Sequence, residues 1–194
     1  ELACAADLVP GIPGDPVQVY VRDATEPFDF SRQAPDGFDV ITCISGVMVF
    51  EGLGTFLKNC RNNLANDGVL VLTNDNSITI RDRLSFLLSG RVRRYRLFME
   101  AGEECWNYIS LGALLIKLEE NGFRLERIKY VSVFPEDWIW FPLIPVVYFL
   151  QLAVLFRPGR YSLTERLALI PPAALICRHY ILVCSKLPAG EFTR

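Results

Sequence analysis

The sequence predicts an α/β domain built on a largely parallel sheet, and three observations carry that expectation. Residues 36–76 (DGFDVITCISGVMVFEGLGTFLKNCRNNLANDGVLVLTNDN) place a polar-then-amphipathic run between two short apolar runs, the pattern of strand, crossover helix and parallel strand. Both apolar runs are near-continuous rather than alternating, as strands covered on two faces require. A length of 194 residues suits one domain.

Taken in order, residues 1–9 have the spacing of a helix end, stopped by Pro10, Gly11, Pro13 and Gly14. Residues 17–22 (VQVYVR) form a β-branched strand that ends in Asp23-Ala24, and 25–35 are a loop. The organising unit follows: a strand over 38–44, a helix over 51–64, a turn at Asn66-Asp67-Gly68 and a strand over 69–73. In an open α/β sheet a ligand sits outside the carboxyl ends of the strands, so Asp23, the Cys43–Gly46 turn and the 73–76 turn should share one edge. Small residues at Ser45 and Gly46 let a ligand approach the backbone, although a plain strand-to-helix turn explains them equally well. Asp23, likewise, has an ordinary role as a turn or capping residue.

Composition narrows the function classes. The chain is 51% hydrophobic and 22% charged with a net charge of -2, which does not suggest nucleic acid as an obligatory partner. Six cysteines (Cys4, Cys43, Cys60, Cys105, Cys177, Cys184) occur without a CxxC, so they read as small core residues of a reducing, cytoplasmic compartment rather than as disulfides or metal ligands. The single histidine, His179, reads as structural, and no metal is expected. No signal peptide is visible at Glu1.

The segments VQVYVRDATEPFDF, GFDVITCISGVMVF and FLKNCRNNLANDGVLVLTNDN, in that order, resemble the middle and second half of a class I S-adenosylmethionine-dependent methyltransferase. The similarity is greatest to quinol O-methylases and to methyltransferases linked to methionine biosynthesis. RDRLSFLLSGR (81–91) is similar to that family's post-strand segment, and NYISLGALLIKLEENGFRLERI to its helix entering the sixth strand, with Gly122-Phe123 at the turn. Residues 179–186 (HYILVCSK) resemble its last, antiparallel strand. The resemblance covers about 1–134 and 179–186, and implies a Rossmann-like, mostly parallel sheet of order 3-2-1-4-5-7-6 with S-adenosylmethionine as cofactor. It implies cofactor-binding roles for Asp23 and Ala24, at the adenine, and for Cys43, Ser45 and Gly46.

The sequence departs from that pattern where it matters. It has no GxGxG, and Gly11-Ile12-Pro13-Gly14 cannot replace one, because its prolines forbid the strand-turn-helix context. The expectation is therefore one partial methyltransferase domain over 1–194, lacking strands 1 and 2, N-terminally truncated, poorly stable and unable to bind cofactor tightly. Val49-Phe50 and Cys105-Trp106 stand where relatives often carry histidine, so the catalytic base is unknown. Glu51, Glu103 and Glu104 are carboxylates within reach of an acceptor, each reading more simply as a solvated face. No Tyr-x-x-x-Lys pair supports a dehydrogenase.

An apolar helical insertion over 135–178, before the last strand, is this chain's own addition. Residues 138–156 (WIWFPLIPVVYFLQLAVLF) carry no charge and approach the ~20 residues that cross a bilayer, with Trp and Tyr of interfacial kind. A second apolar helix over 163–177 is interrupted by Pro171-Pro172. If the flanking strands are antiparallel neighbours, the insertion must leave and return at one end of the sheet. A monotopic or re-entrant helical pair fits this better than one spanning helix, the more so because the return segment is short and Pro-broken and Pro142 and Pro145 weaken the first helix. Arg81, Arg83, Arg91, Arg93, Arg94 and Arg96 flank the apolar LSFLL (84–88), as a salt-laced surface or as a site for anionic head groups. The functional expectation is methyl transfer to a small-molecule acceptor, with a lipid-linked one as the sharper form and peripheral membrane contact through 138–177. The alternative is a non-catalytic, methyltransferase-like module that binds a membrane or a partner. A helical cap or dimer interface is the plainest account of the insertion.

Overall fold

In the computed structural model of the protein, residues 23–32, 34–92, 98 and 107–188 are described. The expected helix over 1–9, the strand over 17–22, Arg93, Arg94, Arg96, Glu103, Glu104, Cys105 and Trp106 lie outside them.

The organising unit folds as β1 (Phe38–Ile44), α1 (Leu53–Asn63) and β2 (Leu64–Asp75), with β1 and β2 parallel. After it come α2 (Ile80–Ser89), α3 (Leu111–Glu120) and β3 (Phe123–Val131). The insertion holds a 3-10 helix (Pro135–Leu143), α4 (Ile144–Leu155), α5 (Leu163–Leu169) and a short 3-10 turn (Pro172–Leu175) before β4 (His179–Lys186). The sheet order is β1-β2-β4-β3, with β4 antiparallel to both neighbours. Among the described residues three strands therefore run one way and the last is reversed, in the 4-5-7-6 order that the resemblance implies.

Each boundary has a local cause. Thr79 caps α2 by accepting from the Asp82 amide (3.1 Å), and Gly90 closes it in the left-handed region (φ 69°). Ser110 caps α3 through the Ala113 amide (3.2 Å), and Gly122 (φ 76°) turns the chain into β3. The Asn66-Asp67-Gly68 turn does not end the helix as expected. The chain is already extended at Leu64, and the residues before Val69 loop out as a bulge, because Phe38 pairs with Leu64 and Val40 with Val69. Gly37 (φ 82°) and Gly68 allow this close approach: a Cβ at Gly37 would lie 2.5 Å from the Ala65 amide nitrogen, and one at Gly68 2.7 Å from the Phe38 carbonyl oxygen.

The core lies on one face of the sheet. Leu70, Leu72, Leu182 and Cys184 pack there with Phe56, Leu57 and Cys60 of α1 and Leu114 and Leu118 of α3. Contrary to expectation, the strands are not buried on both faces by the described residues. Ile44 is 76% exposed and Val69, Val71, Ile181 and Val183 are half-buried, because α1 and α3 both pack on the opposite face. Cys43, Cys60, Cys177 and Cys184 are buried free thiols, as their reading as core residues requires. Burial pushes Cys60 and Cys184 up to about 12.

The insertion leaves and returns at one point: Val131 pairs with His179, and the Arg178 amide donates to the Ser132 carbonyl (2.9 Å). The apolar helix expected over 138–156 is one continuous helical stretch, Pro135–Leu155, whose first part is wound as a 3-10 helix. Pro142 lies in the 3-10 segment and Pro145 in the first turn of α4, so the regular α-helix begins only at Ile144. The second helix likewise shortens to α5, with Pro171 and Pro172 directing the 3-10 turn.

An ion cluster roots the insertion. Arg178 donates to both oxygens of Asp137 (2.6 and 2.9 Å) and to Glu136 (2.6 Å), and Arg81 approaches Asp137 at 3.5 Å. Burial raises the Asp137 carboxyl, but the Arg178 hydrogen bonds, the Phe134 amide and the two guanidinium charges outweigh it, so the net shift is downward.

Candidate functional site

At the carboxyl end of β1 the chain turns sharply. Ser45 adopts a left-handed conformation (φ 54°), which costs a non-glycine residue roughly 1–2 kcal/mol. Its amide donates to Thr73 Oγ1 of β2 (2.9 Å), so the turn is tied to the neighbouring strand end. A Cβ at Gly46 would lie 2.8 Å from Cys43 Sγ and 3.2 Å from the Phe50 ring, leaving no room for a side chain. Cys43 is buried beneath the turn, while Ser45 is exposed above it.

The end of β2 is polar and buried. Asn74 Nδ2 donates to the Tyr180 hydroxyl (3.0 Å), while its Oδ1 is buried without a hydrogen-bond partner. Asn76 Nδ2 donates to the Ala174 and Cys177 carbonyls (2.7 Å each), fastening the strand end to the return of the insertion. His179 Nε2 lies 3.2 Å from Asp75 Oδ1, a pairing between β4 and β2 that suits its structural reading.

Asp23 and Ala24 reach this edge through α1. Asn59 Nδ2 donates to the Glu26 carbonyl (2.7 Å), Asn63 Oδ1 accepts from the Phe30 amide (2.7 Å), and Asn63 Nδ2 donates to the Phe28 carbonyl (3.2 Å). Two buried asparagines one helical turn apart thus strap the loop to the helix. Ala24 packs against the core, and a Cβ at Gly52 would lie 3.1 Å from Thr25 Cβ, which brings this loop beside the start of α1. Asp23 is exposed, and its Oδ1 accepts from the Thr25 hydroxyl (2.7 Å) and amide (2.8 Å). Those two bonds hold its carboxyl below the usual range, and they fulfil the turn role open to it.

Just past the Ser45-Gly46 turn, at the start of α1, lies an open cleft of about 690 Å³, walled by Val47, Phe50, Leu53 and Ile109 and edged by Glu51, Lys58, Lys117, Asn107 and Tyr108. The Asn107 amide donates to the Met48 carbonyl (2.7 Å), and the Tyr108 hydroxyl lies 2.9 Å from Ser77 Oγ. Glu51 is exposed at its rim, so its solvated-face reading and its acceptor reading both stand. A second cleft of about 490 Å³ runs along the middle of β3, away from the carboxyl strand ends.

Of the residues singled out by sequence, Cys43, Ser45 and Gly46 come together at one turn, and Asp23 and Ala24 lie on a loop seated beside the helix that follows it. Thr73, Asn59 and Asn63, which hold these pieces in place, carry no sequence signal beyond being polar. No group of His, Cys, Asp and Glu among the described residues could hold a metal ion. For an adenosyl cofactor, the exposed carboxylate of Asp23 is an acceptor of the kind an adenine amino group needs, whereas the position over Gly46 is filled by Cys43 and Phe50, and the sequence offers no GxGxG for the opposite end.

Neither a protein-family model nor a curated protein sequence matches the chain. Solved structures do. Among them is a cyclase, SpnF, at 16% identity and TM-score 0.44, over 88% of this chain. A SAM-dependent methyltransferase from Archaeoglobus fulgidus matches at 15% identity and TM-score 0.46, over 86%. An O-methyltransferase from Brevibacillus brevis, in complex with S-adenosyl-L-homocysteine, matches at 14% identity and TM-score 0.45, over 87%. The chain spans 56%, 66% and 49% of those three proteins, respectively.

Proposed function

We propose that this chain forms the acceptor-side half of an S-adenosylmethionine-dependent methyltransferase acting on a small-molecule, lipid-linked acceptor, in contact with a membrane surface through 138–177. The observation that supports it is the strained Ser45-Gly46 turn, tied to Thr73 at the carboxyl ends of two parallel strands beside an open cleft. When bound, the cofactor supplies an electrophilic methyl group on a sulfonium. Asp23 would accept from the adenine amino group, Ala24 would contribute an apolar contact, and Gly46, whose side-chain position Cys43 and Phe50 fill, would keep the Ser45 turn in shape beside it. Val47 and Phe50 wall the acceptor space, with Tyr108 and Asn107 orienting polar groups at its rim. The only histidine is paired with Asp75, so the rate derives from proximity and in-line orientation rather than from a histidine base.

The test is calorimetric titration of S-adenosylhomocysteine into the full-length gene product. Binding that weakens about tenfold or more in Gly46→Ala and Asp23→Asn supports the reading; binding unchanged in both refutes it. A non-catalytic, methyltransferase-like module that binds a membrane or a partner is the second reading, which absence of a GxGxG from the full-length gene product would favour. It expects no cofactor binding at all.

A further inference from the structure

The outer face of α4 is apolar as well as its inner one. Val147, Gln151 and Leu155 recur every four residues and turn inward, where Gln151 and Leu155 are buried. One stripe around, Val146, Phe149, Leu150 and Val154 follow the same helical period and are exposed, Phe149 at 74% and Leu150 at 66%. The preceding 3-10 segment continues the surface with Trp138 and Phe141, exposed and stacked with ring centroids 5.2 Å apart. No charged side chain occurs between Asp137 and Arg157. The stretch Pro135–Leu155 is long and apolar enough to cross a membrane, yet only 11% of its most apolar window is buried.

A second element lies beside it. The guanidinium of Arg83 on α2 donates to Oε1 of Gln151, the polar side chain that α4 buries, while Gln151 Nε2 is buried without a hydrogen-bond partner among the described residues. One turn past Arg83, α2 ends in Phe86, Leu87 and Leu88, all exposed, with Leu87 at 77%. The exposed apolar surface of both elements together is on the order of 1,000 Å², against the few hundred Å² usual for the largest patch of a monomeric protein. Its rim is cationic: Arg91 just beyond α2 and Arg157 just beyond α4 are exposed. The carboxylates at its inner end, Glu136 and Asp137, are held by Arg178 and Arg81.

We infer that the tip of α2 and the outer stripe of the 3-10 segment and α4 form one blade that embeds in a single leaflet of an anionic bilayer. A second copy of the chain fits less well, since a twofold contact would bring Arg91 and Arg157 against their own kind, whereas anionic head groups complement them. Spanning is not required. The insertion starts and returns beside the same residue pair, Val131 and His179, so the blade enters and leaves on one side. The inference deepens the lipid-linked reading above by naming the partner. Because β2 leads into α2 and β3 into the 3-10 segment, the blade issues from the carboxyl strand ends, the end that also bears the Ser45-Gly46 turn.

Flotation of the protein with vesicles of phosphatidylcholine, alone or with about one-third phosphatidylglycerol, tests this. Expected are flotation on both, about three- to tenfold tighter on the anionic vesicles. Phe149→Glu and Leu87→Glu should each weaken it about tenfold or more, with an unchanged urea midpoint because both side chains are exposed. No flotation, or flotation indifferent to Phe149→Glu, overturns the inference, and full binding by Leu87→Glu removes α2 from the blade. A dimer in velocity sedimentation that Phe149→Glu dissociates, without flotation, gives the face to a second copy. S-adenosylhomocysteine binding measured on the same preparations separates the outcomes, because loss of the cofactor reading leaves the flotation result standing.

Discussion

Asn in place of Asp137 removes the charge at the centre of the cluster that roots the insertion. The Asp137 side chain is 3% exposed and accepts from Arg178 Nε, Arg178 Nη2 and the Phe134 amide. Breaking one partner out of a buried ion pair costs about 3–5 kcal/mol. Glu136 remains on Arg178 at 2.6 Å and the Asn oxygen can still accept one bond, which lowers the expectation for D137N to about 2–3 kcal/mol. With a urea m-value of about 2–3 kcal/mol/M, the midpoint should fall by about 1 M. The pH dependence has a fixed sign. The folded carboxyl lies below its ordinary value, so its stabilisation is complete above the unfolded pKa of about 3.9 and is lost as pH falls through the folded value. The gap between wild type and D137N should therefore be widest at neutral pH and narrow as the pH falls through the lowered value of the folded carboxyl. A midpoint shift under about 0.2 M, or a gap that persists at low pH, would refute the assignment of Asp137 as the buried anion of this cluster.

Gly46→Ala forces Cys43 or Phe50 to move and should destabilise by about 1–3 kcal/mol, read as a lowered thermal midpoint. Gly37→Ala combines a positive φ with a Cβ pressed on the Ala65 backbone. It should cost at least as much as Gly46→Ala and reduce the soluble yield. Brief alkylation without denaturant, read by peptide mass spectrometry, should leave Cys43, Cys60, Cys177 and Cys184 unmodified; early labelling of Cys60 would contradict its burial. Thr73→Val removes the acceptor for the Ser45 amide and should cost about 1 kcal/mol in urea unfolding.

The parts of this fold that were legible in the sequence are those in which a local pattern decides structure. Phe38–Ile44 and His179–Lys186 form at the expected residues because apolar runs of that length have few other ways to be buried. Helix 51–64 shortens only at its ends, and Gly122 turns the chain where its left-handed freedom is needed. Context decided the rest. The Asn66-Asp67-Gly68 turn became a bulge because Leu64 already pairs with Phe38. The apolar run over 138–156 is helical as read, with Pro142 and Pro145 weakening it as their residue type dictates, but the 3-10 winding before Ile144 is not specified by the pattern. At the site, Ser45 and Gly46 stood out as small residues at a strand end. Their tie to Thr73, and the buried Asn59 and Asn63 that seat the Asp23 loop, are long-range contacts that no spacing reveals. The same holds for the cluster joining Arg81, Asp137 and Arg178.

Because Val131 and His179 face each other across adjacent antiparallel strands, the whole excursion is topologically the tip of a β-hairpin. A hairpin tip can grow at little expense: each doubling of a flexible loop adds only about 0.6 kcal/mol of closure entropy. The register of the sheet is indifferent to what the tip contains, provided Asn76 keeps its grip on the Ala174 and Cys177 carbonyls. Residues 138–156 are therefore the exchangeable part, since Tyr161 and Leu169 beyond them pack against the core and the Tyr130 hydroxyl donates to the Leu169 carbonyl. Replacing them with a short polar linker should leave the strand order intact while removing nearly all of the apolar surface on α4, and transplanting them onto another antiparallel pair of strands should carry that surface along.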